Sequence, residues 1–164
     1  MTQQLRQAHS PTPPAAIGWC GLGAMGAVMA PRLAKVADRL TGYDINPEAG
    51  QATGLARAEG LAELAAADIL ITMLPDGAAV RQVAETVLRA GFSGLLVDMS
   101  SCHPQDSRAL STKLAAANCR FIDAPVSGGV AKAASGSLMI MAGGADADIE
   151  QATPFLSVLG TVQP

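Results

Sequence analysis

From residue 15 onward, short and nearly continuous apolar runs alternate with longer stretches in which apolar residues recur at three- and four-residue spacing. The runs predict strands over 16–20 (AIGWC), 39–44 (RLTGYD), 68–74 (DILITML), 94–99 (GLLVDM), 119–124 (CRFIDA) and 137–143 (SLMIMAG), with a weaker one at 56–58. The helical spacing predicts helices over 24–36, 60–67, 77–90, 104–118 and 146–159. Strand and helix in strict alternation is the rhythm of a Rossmann-type, doubly wound α/β fold, a mainly parallel sheet with helices on both faces. The most apolar strands belong at its centre, covered on both sides. Pro104 suits the first turn of its helix, whereas Pro31 and Pro154 fall inside theirs and predict kinks. Phe155, Leu156 and Leu159 on the last helix are expected to form an exposed apolar patch, and Leu138–Met141 (LMIM) to be a buried strand.

Composition narrows the field. Among 164 residues, 49% are hydrophobic and 15% charged, enough apolar material for one domain with a buried core. The formal charge of -3 and the lack of a Lys/Arg cluster exclude nucleic acid as a partner, and no apolar stretch approaches the roughly 20 residues that span a bilayer. Residues 1–14 have no apolar core and a single Arg, which argues against a secretory or organelle-targeting signal and for a disordered leader ahead of a domain over 15–164. Cys20, Cys102 and Cys119 are odd in number, far apart and without metal-ligand spacing. They read as small buried hydrophobes in a reducing cytoplasm.

Chemistry enters at CGLGAMG, residues 20–26. Gly21, Gly23 and Gly26 follow an expected strand and open an expected helix, the setting in which such glycines bind a dinucleotide. The first makes the tight turn, the second leaves room for a pyrophosphate, and the third lets the helix lie close to the sheet. Asp44, at the end of the second strand, is placed to accept hydrogen bonds from a ribose 2'-hydroxyl, although the DINP that follows would also suit a turn-forming aspartate. A 2'-phosphate would meet the Asp44 charge with no Arg following closely, so NAD is favoured over NADP.

Beyond the glycines, four motifs in fixed order, GLGAMGAVMAPRL, MLPD, DMSS and DAPVSGGVAKAASGSLMIMAGG, resemble the β-hydroxyacid dehydrogenases, most of all the 3-hydroxyisobutyrate dehydrogenase-like group, across residues 16–164. The resemblance implies that Gly21, Leu22, Gly23, Ala24, Met25 and Gly26 bind the cofactor phosphates. It implies further that Met73, Leu74 and Pro75 touch the ribose and nicotinamide side, and that Ser100 and Ser101 line the nicotinamide pocket. Ser127, Gly128 and Gly129 become a clamp for the substrate carboxylate, a role that two residues without Cβ atoms after a hydroxyl can support through converging backbone N–H groups. Local preference alone would make Ser100 and Ser101 turn or capping hydroxyls, and 127–129 a flexible loop.

Lys132, in the expected loop GGVAKAASG, and His103, before a helix, read as surface residues. Arg32 stands where the family usually has Asn, which changes the hydrogen bonding expected there. In the family a catalytic lysine and an all-helical domain follow the equivalent of LGTVQP. The expectation is therefore the NAD-binding domain of an enzyme that oxidises a small 3-hydroxy acid, inactive without that lysine and drawn from a homo-oligomeric parent. The alternative is a non-catalytic NAD-sensing or partner-binding module.

Overall fold

The computed structural model describes residues 15–164, so the expected leader at 1–14 lies outside the described residues. Ten strands and five α-helices follow one another. β1 (Ala16–Cys20) leads through α1 (Gly26–Met29) and a 3₁₀ segment, Ala30–Lys35, to β2 (Arg39–Tyr43) and the two-residue β3 (Ala56–Arg57). A third 3₁₀ segment, Leu61–Ala66, after one at Gln51–Thr53, precedes β4 (Ile69–Thr72), α2 (Gly77–Arg89), β5 (Leu95–Asp98), α3 (Pro104–Ala116) and β6 (Arg120–Asp123). The chain finishes with β7 (Val126–Ser127), α4 (Gly129–Ser135), β8 (Leu138–Met141), β9 (Gly143–Gly144), α5 (Asp146–Leu156) and β10 (Gly160–Gln163).

The main sheet has the order β3-β2-β1-β4-β5-β6-β9, parallel throughout except for β9, which runs antiparallel on β6. β1 pairs with β2 on one side and β4 on the other, so the winding reverses there and opens a crevice at the carboxyl ends of the strands. Every residue of β4 and β5 is buried, as their apolar runs require. Alternate side chains serve opposite faces. Ile69, Ile71, Leu95 and Val97 pack with Met29, Leu33, Phe155 and Leu156, while Leu70 and Leu96 pack with Val80, Val83, Val87, Leu110 and Leu114 from α2 and α3. The expected Rossmann architecture holds.

Several local expectations do not. Pro31 does not lie inside a continuous α-helix: that helix ends at Met29 and the chain continues as the tighter 3₁₀ segment, in which the missing proline N–H falls at the segment's start. Pro154 sits in the last turn of α5 without breaking it. Stretch 137–143 is divided: β8 joins a separate three-stranded sheet, β10-β8-β7, and β9 goes to the edge of the main one. Within β8 only Leu138 and Ile140 are buried. Met139 and Met141 stand 51% and 44% exposed, because this small sheet is covered on one face only. Phe155, Leu156 and Leu159 are buried, not an exposed patch, since the face that carries them packs against the main sheet and β8. Lys132 lies on α4 rather than in a loop, with glycines at positive φ, Gly128 and Gly136, at the two ends of that helix. Arg32 clasps this region to the first helical turn, its Nε donating to Val158 O at 2.9 Å and Nη1 to Ala134 O at 2.8 Å.

Candidate cofactor site

The turn after β1 shows why three glycines are spaced as they are. Gly21 adopts φ +105°, and a Cβ there would drive into the backbone carbonyl of Met73 on the neighbouring turn. A Cβ on Gly26 would lie 2.8 Å from the Gly21 carbonyl carbon and 3.1 Å from Trp19 Nε1. Gly23 has nothing within 4 Å of that position and opens onto the crevice. Beneath the turn, the fully buried Trp19 donates its indole N–H to Gly21 O at 2.8 Å. Ala27 N donates to Gly23 O at 2.9 Å, starting the helical turn, and the N–H groups of Gly23, Ala24 and Met25 have no acceptor among the described residues. Free donors at a helix start, next to a glycine that leaves open space, suit an anion.

Asp44 closes the other side. Its Oδ2 accepts from Leu22 N at 2.7 Å and its Oδ1 from Asn46 N at 2.8 Å, so the carboxyl group both braces the glycine turn and shapes its own. Each oxygen keeps a lone pair for a further donor. Leu22 is the exception among the loop residues expected to contact phosphate. Its N–H is taken by Asp44, and its side chain is buried in the core, where it faces Gly42 and Gly50.

A cavity of about 530 Å³ joins the glycine turn, Asp44 and the turn after β4, with Gly21, Gly23, Ala24, Met25, Gly26, Met73, Leu74 and Pro75 among its lining residues. Three separate sequence motifs therefore meet in one place. Sequence reasoning missed the apolar part of the lining, Ile45, Leu61, Ala79 and Val83 with Gln82, because these positions come from three different segments. Ile45, 87% exposed beside Asp44, was the one available signal: a large aliphatic side chain at an open strand end. Cys20 also lines the cavity. Burial first, then the Asp44 charge, pushes its thiol up to about 12, so it stays protonated and inert.

The remaining expected site residues lie outside that cavity, Ser100 and Ser101 after β5 of the main sheet and Ser127, Gly128 and Gly129 where β7 of the small sheet meets α4. Ser100 is fully buried; its Oγ accepts from Leu74 N at 2.8 Å, so it joins the turns after β4 and β5 and does not face solvent. Ser101, next to it, is exposed. Ser127, Gly128 and Gly129 are exposed where β7 enters α4, Gly128 at φ +138° and Gly129 at +70°. The Lys132 stem lies over Gly128, where a Cβ would come 2.7 Å from Lys132 Cδ. His103 caps α3, its Nδ1 accepting from Gln105 N at 3.2 Å, and is a surface residue as expected. The three cysteines are free: Cys20 and Cys119 are buried, and Cys102 is half-buried. No helix among the described residues is long and apolar enough to cross a membrane.

Fold and site together define a Rossmann-type dinucleotide-binding domain. The chain belongs to the family described as the NAD binding domain of 6-phosphogluconate dehydrogenase, whose pattern matches residues 16–163. Its curated relatives are 3-hydroxyisobutyrate dehydrogenase-like. It is 37% identical to the 3-sulfolactaldehyde reductase of Escherichia coli K12 over 155 residues, 90% of this chain and 52% of that protein. It is also 37% identical to the mitochondrial 3-hydroxyisobutyrate dehydrogenase of Drosophila melanogaster over 152 residues, 88% of this chain and 46% of that one. The solved 3-hydroxyisobutyrate dehydrogenase of Mycobacterium tuberculosis, with L-serine, superposes with a TM-score of 0.87 at 34% identity, over 92% of this chain and 54% of that one. The chain thus spans about half the length of the curated relatives it matches.

Proposed function

We propose that these residues form the NAD-binding half of an oxidoreductase acting on small 3-hydroxy acids. The observation that carries the reading is the meeting of the glycine turn, Asp44 and the Met73–Pro75 turn around one cavity at the reversal of strand order. The open space at Gly23 and the free amides of Gly23, Ala24 and Met25 would hold a pyrophosphate. Asp44 would accept the adenosine ribose hydroxyls, and Ile45, Leu61 and Val83 offer apolar surface to the base. Asp44 sets the preference for NAD over NADP by repelling a 2'-phosphate.

When bound, the nicotinamide supplies the hydride acceptor. Ser101, exposed in the turn after β5, would contact the nicotinamide edge. Ser127 with the Gly128 and Gly129 amides would hold the substrate carboxylate, and the Lys132 stem over Gly128 adds positive charge near that turn. A hydroxy acid such as L-serine, which accompanies the mycobacterial relative, has the required carboxylate and β-hydroxyl. The family resemblance implies a lysine beyond the residues of this chain as the proton acceptor. Removing a general base costs on the order of a hundred- to ten-thousandfold in rate.

Two measurements test the reading. Calorimetric titration should show NAD binding to this chain, and absence of binding would end the proposal. Incubation with NAD and a panel of 3-hydroxy acids should yield no reduced nicotinamide. Turnover abolished by Lys132→Ala would instead place the base within this chain.

A further inference from the structure

The turns after β4 and β5 leave the sheet side by side, and backbone pairing stops almost at once. Thr72 and Asp98 are register partners at the ends of the two strands, and Met99 N to Thr72 O, 2.9 Å, is the last backbone rung recorded between them. Beyond it the turns are joined through side chains. Asp98, 1% exposed, accepts from Thr72 Oγ1 at 2.8 Å and from Ser100 N at 3.1 Å on Oδ1, and from Cys102 Sγ at 3.3 Å on Oδ2. Ser100, oriented by its own N–H on Asp98, then receives Leu74 N on its hydroxyl. One buried carboxyl group thereby reaches both turns. Leu74 and its neighbours Met73 and Pro75 line the cofactor cavity, and Ser101 lies between two residues that Asp98 holds.

We propose that Asp98 is a positioning residue for the nicotinamide half of the cofactor: it sets the spacing and direction of the Met73–Pro75 and Ser100–Cys102 turns without touching the ligand itself. This rests on the proposed nucleotide site. The adenosine half is held from elsewhere, by the glycine turn and Asp44, neither of which bonds to Asp98. A displaced Asp98 network should therefore weaken contacts to one end of the dinucleotide only. Cys102 takes part as a thiol donor. Burial, followed by Asp98 and more weakly by Asp123 and Asp106, pushes its thiol up to about 12, so the proton stays on sulfur.

The test compares NAD with ADP-ribose, which lacks the nicotinamide, by calorimetry on the chain and on Asp98→Asn. The Asn amide would face the Cys102 S–H, donor against donor. The expected result is a roughly tenfold loss of NAD affinity, the scale of one hydrogen bond to a charged group, with ADP-ribose affinity changed less than about twofold. Cys102→Ser in the same chain supplies a hydroxyl that can accept from the amide and should restore NAD binding. If Asp98→Asn does not fold, Ser100→Ala removes one link and reads the same ratio. Equal losses for both ligands would show a merely structural role and overturn the proposal, as would NAD binding wild-type chain no more tightly than ADP-ribose. Failure of the wild-type chain to bind either ligand would overturn the nucleotide reading beneath it.

Discussion

Gly23 and Gly26 lie three residues apart in the same turn, yet their substitution by Ala should have opposite consequences. At Gly26 the new methyl would sit 2.8 Å from the Gly21 carbonyl carbon and 3.1 Å from Trp19 Nε1, against rigid backbone and a fully buried ring. Overpacking of this kind costs about 1–3 kcal/mol and more where backbone must move. For a domain of this size each kcal/mol lowers the melting temperature by about 2–4 °C, so Gly26→Ala should melt some 6–12 °C lower at a cost of about 3 kcal/mol. At Gly23 the methyl meets nothing within 4 Å and the backbone needs no positive φ, so stability should stay within about 0.5 kcal/mol of wild type. That empty space is where the phosphates would approach, and NAD affinity should fall at least about tenfold, or 1.4 kcal/mol. Thermal unfolding and calorimetric titration of both variants give the four numbers. A Gly23→Ala chain that binds NAD like wild type would refute the assigned approach of the phosphates, and a Gly26→Ala chain that melts like wild type would refute the packing.

Further outcomes follow from other side chains. If the Asp44 carboxyl group receives ribose hydroxyls and repels a 2'-phosphate as proposed, Asp44→Ala should weaken NAD and narrow any advantage over NADP in the same titration; an unchanged ratio would remove Asp44 from cofactor choice. Burial, and then the Asp98 charge, raise the Asp123 carboxyl above the ordinary carboxylate range. The folded chain then holds that proton more tightly than the unfolded one. Its contribution to stability is present below the unfolded pKa and lost as pH rises through the folded one. Asp123→Asn should flatten this loss in melting curves recorded upward from the ordinary carboxylate pKa, and parallel curves for the two proteins would contradict it. Arg32→Ala strands the carbonyls of Val158 and Ala134 and should cost about 1–3 kcal/mol in urea unfolding, with NAD affinity preserved.

What could be read from sequence was what depends on near neighbours. The glycine spacing shows within seven consecutive residues, although part of what demands Gly21 is Met73 on the neighbouring turn, and the buried strands β4 and β5 announce themselves by their own residues. Readings failed where the deciding partner is remote. GGVAKAASG, residues 128–136, reads as loop because of its glycines, yet Gly128 and Gly136 are what permit a short helix to start and stop there. GTVQ carries no strand signal of its own and becomes a strand only by pairing in parallel with Leu138–Met141. Phe155, Leu156 and Leu159 seemed to need an absent partner, but the partner is the main sheet of the same chain. Ser100 carries the hydroxyl a ligand would want, and only the register of β4 on β5 shows that Leu74 already has it.

Trp19 is the chain's single tryptophan. Its indole hydrogen bond ends on Gly21, and the helix start at Gly26 rests against the same carbonyl. Light absorbed near the red edge of protein absorption therefore excites one fluorophore, anchored directly below the nucleotide turn. Any ligand that draws the turn outward alters the polarity and hydrogen bonding of that ring, and the emission colour and lifetime report it with no label attached. The protein carries its own optical gauge of whether the glycine turn is at rest.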